Sequence, residues 1–502
     1  MKPAVILLAL LGLAGCMIGP NYKRPTAPIA ISYKELAGWQ PAAPEDANDR
    51  GAWWLIYHDP LLDQLERQID ISNYTLAQAE ANYRNAQAIV QEAQANLFPV
   101  LSAVGNFQRT GVGGGSNSIV STGNGVAVSG ASGFVGNQYT LQGNGSWDLD
   151  VWGEIRRQIA SDVDLAQYSA AEVANARLSA QAALASAYFN LRGEDSLAAV
   201  LESNVKQFAD ALRIAENEYH AGYVARGDVL TAQTELQTTQ AQLTAVGVAR
   251  AQYEHAIAVL IGKPPAELGI SPGALPNDVP AMPPSLPSTL LQRRPDIAAA
   301  ERQMAAENEL IGVALAAFFP QISLSSLYGY TGPQLANLIS MPNRIWALGA
   351  AFNAPIFEGG GQIAAVVAAR ANYDAAVANY RQTVLTAFQQ VEDELVALRI
   401  LAQEKAQQDI AVKSAQDNVA FALNEYKAGT VIYTTVLTDQ ELELSDEITD
   451  VTIQQSRMIA SVALVEALGG GFASDSLPTA GDLRSLDFYR PANVLGTKDT
   501  TE

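Results

Sequence analysis

One cysteine and three histidines among 502 residues leave little from which to build a metal centre or a nucleophilic active site. His58, His220 and His255 stand far apart, no His-x-x-x-His pair occurs, and Cys16, being alone, cannot form an internal disulfide. This inventory supports neither an enzyme nor a cofactor. Basic residues are also scarce. With 31 Lys and Arg against 52 Asp and Glu the net charge is −21, which argues against nucleic acid as a partner, because phosphate binding needs clustered cations. The acidity fits either a solvated surface or a negatively charged conduit. Long apolar runs are missing too: after residue 16 none approaches the roughly 20 residues that carry a helix across a bilayer, so any membrane crossing must use strands. Gly113-Gly114-Gly115 is followed by no Lys-Ser/Thr and is not a phosphate cradle.

What is present begins at the N-terminus. Met1-Lys2 supplies a positive end, residues 4–13 an apolar stretch, and Leu13-Ala14-Gly15 small residues before Cys16, which together read as a secretion signal over 1–15. A lone cysteine directly after such a cleavage pattern is the natural acceptor for a lipid, and Leu-Ala-Gly-Cys matches the bacterial lipobox. Met17 stands where an aspartate would retain a lipoprotein at the inner membrane, so outer-membrane sorting is expected.

Three blocks recur in the same order at offsets of roughly 205 to 220 residues. Ala79-Glu80 through Phe98-Pro99 matches Ala300-Glu301 through Phe319-Pro320. The stretch from Trp147 to Trp152 matches that from Phe352 to Phe357, and Tyr219-His-Ala-Gly222 matches Tyr426-Lys-Ala-Gly429. Each half therefore reads helix, strand, loop, strand, long helix, tight turn, helix. Asp59-Pro60 suits a helix start, and a helix is expected over 61–97. From about Arg157 to His220 no proline interrupts a helical composition that would span on the order of 95 Å, with Gly193 a candidate midway break. Gly222 and Gly429 supply the left-handed residue on which each helical hairpin turns. The resulting division is a lipidated extended segment over 16–60, a first repeat over 61–263, a Pro-rich linker over 264–292, a second repeat over 293–471 and an extended or partly disordered tail over 472–502.

The strand segments alternate with period two. From Tyr139, one face reads Tyr139, Leu141, Gly143, Gly145, Trp147, and the other Thr140, Gln142, Asn144, Ser146, Asp148, Asp150. In the second half Ile322, Leu324, Tyr328 and Tyr330 alternate with Gln321, Ser323, Ser325 and Gly329; Trp346, Leu348 and Phe352 follow the next loop. An apolar face and a wholly polar face are what a transmembrane barrel strand needs. Four strands cannot close a barrel, for which about eight is the minimum, so chains must pool them: two, three or four protomers would all serve. Between the first two strands, residues 111–133 read as a flexible Gly/Ser/Asn-rich loop.

Cys16-Met-Ile-Gly-Pro-Asn-Tyr-Lys-Arg-Pro25 resembles the start of mature outer-membrane efflux lipoproteins of the NodT type, within the TolC-type ducts. Trp53-Trp54, Arg293-Arg294-Pro295-Asp296, Phe319-Pro320 and Leu468-Gly-Gly-Gly471 are similar to further motifs of that family. The resemblance implies a mainly α fold with a membrane β-barrel, a homotrimer of twelve strands and twelve periplasmic helices. It further implies a passive channel in the outer membrane exporting small molecules (drugs, toxic compounds or metal ions). An inner-membrane resistance-nodulation-division pump and a periplasmic adaptor would be its partners. The turns over 221–228 and 428–435, the second of which includes Tyr433, would then form the periplasmic mouth, with Asp228 and Asp439 either ringing the entrance or serving as helix-start carboxylates. Relatives carry an aspartate where this chain has Thr438, which moves the carboxylate by one position, about 100° round a helix. Asp148 and Asp150 are expected to face the lumen, either favouring cations or simply keeping it wet. Two rivals keep some of these features: a lipid-anchored helical scaffold or adhesin without a pore, and a duct for protein secretion.

Overall fold

The computed structural model describes residues 17–26, 33–35, 52–112, 119–122, 125–128, 134–280 and 293–484. The signal segment and Cys16 lie outside them. A short 3-10 helix, Trp53–Tyr57, precedes α1 (Pro60–Ser72), whose first amides at Leu61 and Leu62 donate to the Asp59 carboxylate. The single helix expected over 61–97 is two. Asn73 is extended (φ −72°, ψ 118°), its side chain accepts the Leu76 amide at 2.8 Å and donates to the Leu260 carbonyl at 2.7 Å, and α2 (Tyr74–Ala95) starts afresh there. An internal asparagine that can cap a new helix while tying down a neighbouring one outcompetes a continuous run.

Strand β1 (Val100–Val112) leads through β2 (Ile119–Thr122) and β3 (Gly125–Val128) to β4 (Phe134–Asp148). The loop expected over 111–133 is thus partly ordered, since β2 and β3 pair antiparallel with Ile119 opposite Val128. Next come α3 (Glu154–His220) and α4 (Arg226–Leu260). The second half repeats this order with α5 (Pro295–Ala316), β5 (Gln321–Gly332), β6 (Arg344–Asn353), α6 (Gly361–Lys427) and α7 (Tyr433–Ala467). Both long helices are 67 residues and both return helices 35, so the two hairpins have equal lengths. At 1.5 Å per residue the long arms reach about 100 Å. Gly193 does not break α3. A Cβ there would lie 2.6 Å from the Gln455 side chain, so the glycine serves close approach to α7 instead.

Helix α3 runs through the middle of the wall, against α2 and α5 near the sheet and against α4 and α7 further away; α6 packs α5 and then α7. Each level is therefore four helices wide. Alanine is the commonest residue at the buried positions of α3, including Ala166, Ala171, Ala182, Ala185 and Ala211, which lets the helices approach closely. The largest core gathers Trp53, Trp54, Tyr57, Leu62 and Ile69 against Tyr188, Phe189, Val391, Leu395 and Val462 midway along the wall. There the described part of the linker is clasped by charge. Asp195 pairs with Arg250 (2.6 Å) and Arg192 (3.1 Å) and accepts the Gly273 amide (3.0 Å), while Arg250 donates to the Ile270 carbonyl (2.6 Å).

The N-terminal segment lies along one face of the wall. Arg157, 2% exposed, pairs with Glu309 at 2.5 Å and donates to the carbonyls of Ile18 and Gly19 and to the Asn21 side chain. Further along, Tyr22 donates to Glu301, Arg24 to Tyr380, and the amides of Lys34 and Glu35 to Glu392. The tail is also ordered at first, unlike the expectation for 472–502: Gln167 donates to the Pro478 carbonyl, and Leu483 of the last short helix, α8 (Ala480–Leu483), is buried beside Val90 and Val163.

Two sequence motifs form one joint. Pro295 occupies the first turn of α5, and Asp296 receives both the Ile297 amide and the Arg294 guanidinium. That guanidinium also donates to the Ala467 carbonyl at 2.9 Å, where α7 ends in Gly469, Gly470 and Gly471, all at positive φ.

Candidate functional site

The strands pair in the order β1-β4-β5-β6, all antiparallel, and β1 and β6 have a free edge among the described residues. Register fixes which side chains share a face. Leu101, Gly145, Ser326 and Leu348 lie opposite one another in one row; Ala103, Gly143, Tyr328 and Trp346 form the next. Phe107 with Tyr139, and Leu324 with Trp147, extend the same face. The opposite face carries Ser102, Asn144, Gln142, Thr140 and Thr331, with Ser146 opposite Ser325 and Asp148 opposite Ser323, and is polar along β1, β4 and β5 apart from residues such as Val104 and Leu327, while β6 adds Ile345, Ala347 and Ala351 to it. Leu101, Leu348, Phe352 and Trp346 are largely exposed in the single chain. A sheet with one mainly apolar face, one mainly polar face and two open edges, made of strands 13, 15, 12 and 10 residues long, is long enough to cross a bilayer when tilted. It cannot stand alone in one, because its edge amides and carbonyls would be unpaired. No described helix is long and apolar enough to cross a membrane.

Of the two aspartates expected on the polar face, the structure puts only Asp148 there, exposed at the end of β4. Asp150 is a correction. The alternation stops with the strand, and two residues on the Asp150 carboxylate accepts the amides of Ile155 (3.0 Å) and Arg156 (3.1 Å) and pairs with the Arg156 guanidinium (2.8 Å), holding the first turn of α3.

At the far end of the helices the chain reverses twice on left-handed glycines, Gly222 (φ +78°) and Gly429 (φ +75°). Asp228 lies in the first turn of α4 and accepts the Ala225 amide at 3.0 Å, the contact of a helix-start carboxylate. It shares a small cleft with Glu218 and with Tyr433, which is buried where α7 begins. Thr438 is exposed and its hydroxyl donates back to the Thr434 carbonyl. Asp439 turns toward α6, where Asn418 donates to it at 2.7 Å. Sequence reasoning missed the Tyr426–Glu218 hydrogen bond, which ties the two hairpins together beside the Tyr426–Tyr433 edge-to-face pair. Burial and the Glu218 carboxylate push the Tyr426 phenol up to about 12, so it stays a donor. Glu218 directly precedes the first Tyr-x-Ala-Gly block and Tyr426 begins the second, but nothing in a linear repeat says that one copy bonds the other. Among the described residues no group of three or more His, Cys, Asp or Glu could hold a metal ion.

A two-faced open sheet continued by a wall of long helical hairpins is the protomer of a TolC-like outer-membrane channel. The chain matches the family described as outer membrane efflux protein over residues 66–263 and 286–470, and it belongs to that family. It is 30% identical over 482 residues to outer membrane protein OprJ of Pseudomonas aeruginosa, covering 94% of this chain and 97% of that one. To the probable efflux pump outer membrane protein TtgC of Pseudomonas putida it is 29% identical over 466 residues, covering 92% and 93%. Among solved structures, the outer-membrane channel OprN superposes with a TM-score of 0.82 at 29% identity, covering 91% of this chain and 99% of that one. The protein is an outer-membrane efflux channel and not an enzyme.

Proposed function

We propose that three copies close one barrel and one helical tunnel, forming the passive outer duct of a tripartite pump that an inner-membrane resistance-nodulation-division transporter energises through a periplasmic adaptor. The observation that carries this reading is the four-stranded sheet with one mainly apolar face, one face that is mainly polar along β1, β4 and β5, and two open edges. Three such sheets give twelve strands and three four-helix walls give twelve helices. The mouth lies at the Gly222 and Gly429 turns, with Asp228, Tyr433, Thr438 and Asp439 beside it, and Asp148 lines the lumen at the periplasmic end of the barrel. The proposed cargo is small molecules: drugs, toxic compounds or metal ions. Relatives named for antibiotic and toluene efflux support that class. A pore-free scaffold or adhesin would leave the polar strand face without a role.

Lipidation of Cys16 belongs to the same reading. The neighbouring Ile18 amide donates to the Trp152 carbonyl at 3.2 Å, just below the sheet, so an acyl chain on Cys16 would enter the inner leaflet beside the barrel. Cys16→Ser is expected to remove the lipid yet leave a membrane-embedded assembly of three chains by native mass, since a barrel holds a membrane far more firmly than acyl chains do. Extraction of that variant by alkaline carbonate, or a mass other than three chains, would contradict the proposal. Asp439→Ala is expected to raise single-channel conductance by clearing a carboxylate from the constriction, and an unchanged conductance removes Asp439 from the gate.

A further inference from the structure

The charged residues of the strands are few and segregated. Between Val100 and Trp147 the only charged residue is Arg109, and between Phe318 and Phe357 it is Arg344, in a chain with 52 acidic and 31 basic side chains. The loops joining these strands at the end away from the helices therefore contain no carboxylate that could pair with either arginine. Both guanidinium groups are on exposed residues, and the register sets both on the apolar face. Arg344 lies opposite Tyr330, which is opposite Leu141, and Leu141 is opposite Gly105; Arg109 is four residues beyond Gly105 on the same strand. Each has an aromatic two residues nearer the middle of its strand: Phe107 below Arg109 and Trp346 below Arg344.

Their distances along the strand agree as well. Arg109 is nine residues from Val100, where β1 leaves the helical side, and Arg344 is nine residues from Asn353, where β6 returns to it. Nine steps of about 3.3 Å on a strand tilted by about 40° rise roughly 23 Å, close to the roughly 25 Å apolar band of an outer-membrane barrel. Both cations thus stand just above the aromatic level, at the outer interface, facing lipid. They also sit on β1 and β6, the two open-edged strands that closure would bring together.

We infer that Arg344 of one protomer and Arg109 of its neighbour form a phosphate-binding pair at each seam of the barrel, occupied by the phosphorylated headgroup of an outer-leaflet glycolipid of the lipid A class. The inference rests on the closed-barrel reading. Guanidinium is suited to the task because its planar fork donates two parallel hydrogen bonds to a phosphate, and nothing anionic on the outward face competes. Lipid would then bridge adjacent protomers across each seam.

The test is native mass spectrometry of the detergent-solubilised full-length protein with bisphosphorylated lipid A and with its dephosphorylated form. The native protein is expected to prefer the phosphorylated lipid by on the order of tenfold. Arg109→Gln combined with Arg344→Gln should abolish the preference, and Arg109→Lys combined with Arg344→Lys should retain part of it. Equal binding of the two lipids, or a preference that survives the glutamine variant, overturns the inference. Conductance of the same preparations in planar bilayers separates the two levels: a conducting channel without lipid preference refutes the lipid pair alone, whereas a silent one also refutes the closed barrel.

Discussion

Arg157→Met is expected to destabilise the folded chain by about 3–5 kcal/mol, the cost of leaving one member of a buried ion pair uncompensated. Glu309 would keep its buried place without the guanidinium that meets it at 2.5 Å. Three further acceptors, the carbonyls of Ile18 and Gly19 and the Asn21 side chain, would lose their donor at once. The N-terminal segment should then detach from α3 and α5, which limited proteolysis would register as new cleavage before residue 60 alongside a lowered melting temperature. Arg157→Met combined with Glu309→Leu should recover much of the stability, because a well-packed apolar pair replaces a buried ion pair at little cost. Equal protease resistance in the single variant and the native chain would show that the pair does not hold the segment.

The second large effect is at the joint between α7 and α5. Gly469 has φ +94°, and a Cβ there would lie 1.9 Å from the Arg293 carbonyl oxygen, a backbone atom that cannot swing aside. Gly469→Asn should therefore prevent the joint from closing and leave little or no folded protein in the outer membrane. Gly222→Asn is the control. It also has positive φ (+78°) but nothing within 4 Å of the added Cβ, and asparagine tolerates the left-handed region at a cost of about 1 kcal/mol. Comparable levels of the two variants in isolated outer membranes would contradict the steric account.

These two positions also mark how far the sequence could be read. Features with a local period were legible. The polar face from Thr140 to Asp148 follows from alternation, the paired hairpins from a repeated Tyr-x-Ala-Gly block, and the class of channel from motifs that the family match upholds. Features decided by distant partners were not. Arg157 reads as one more helical arginine until Ile18 and Glu309 close over it, and Gly193 looks like a helix breaker until Gln455 packs against it. Asp150 continues the polar alternation on paper, but the strand ends before it and a helix start claims its carboxylate. Asn73 shows the same limit from the other side, since a residue type tolerated within a helix becomes a cap once Leu260 offers an acceptor. The tail after Gly471 lacks periodicity because its order comes from single contacts such as Gln167 with Pro478.

If strands from several chains close a water-filled barrel continued by the helical tunnel, the purified protein is itself a pore. Single-channel recording of the purified full-length protein in planar bilayers tests it most directly. The expected result is discrete, reproducible conductance steps whose ion selectivity shifts away from cations in Asp148→Asn, since that carboxylate is the one charge on the polar face of the described strands, the face proposed to line the lumen. Bilayers that stay silent although folded protein has inserted would contradict the account.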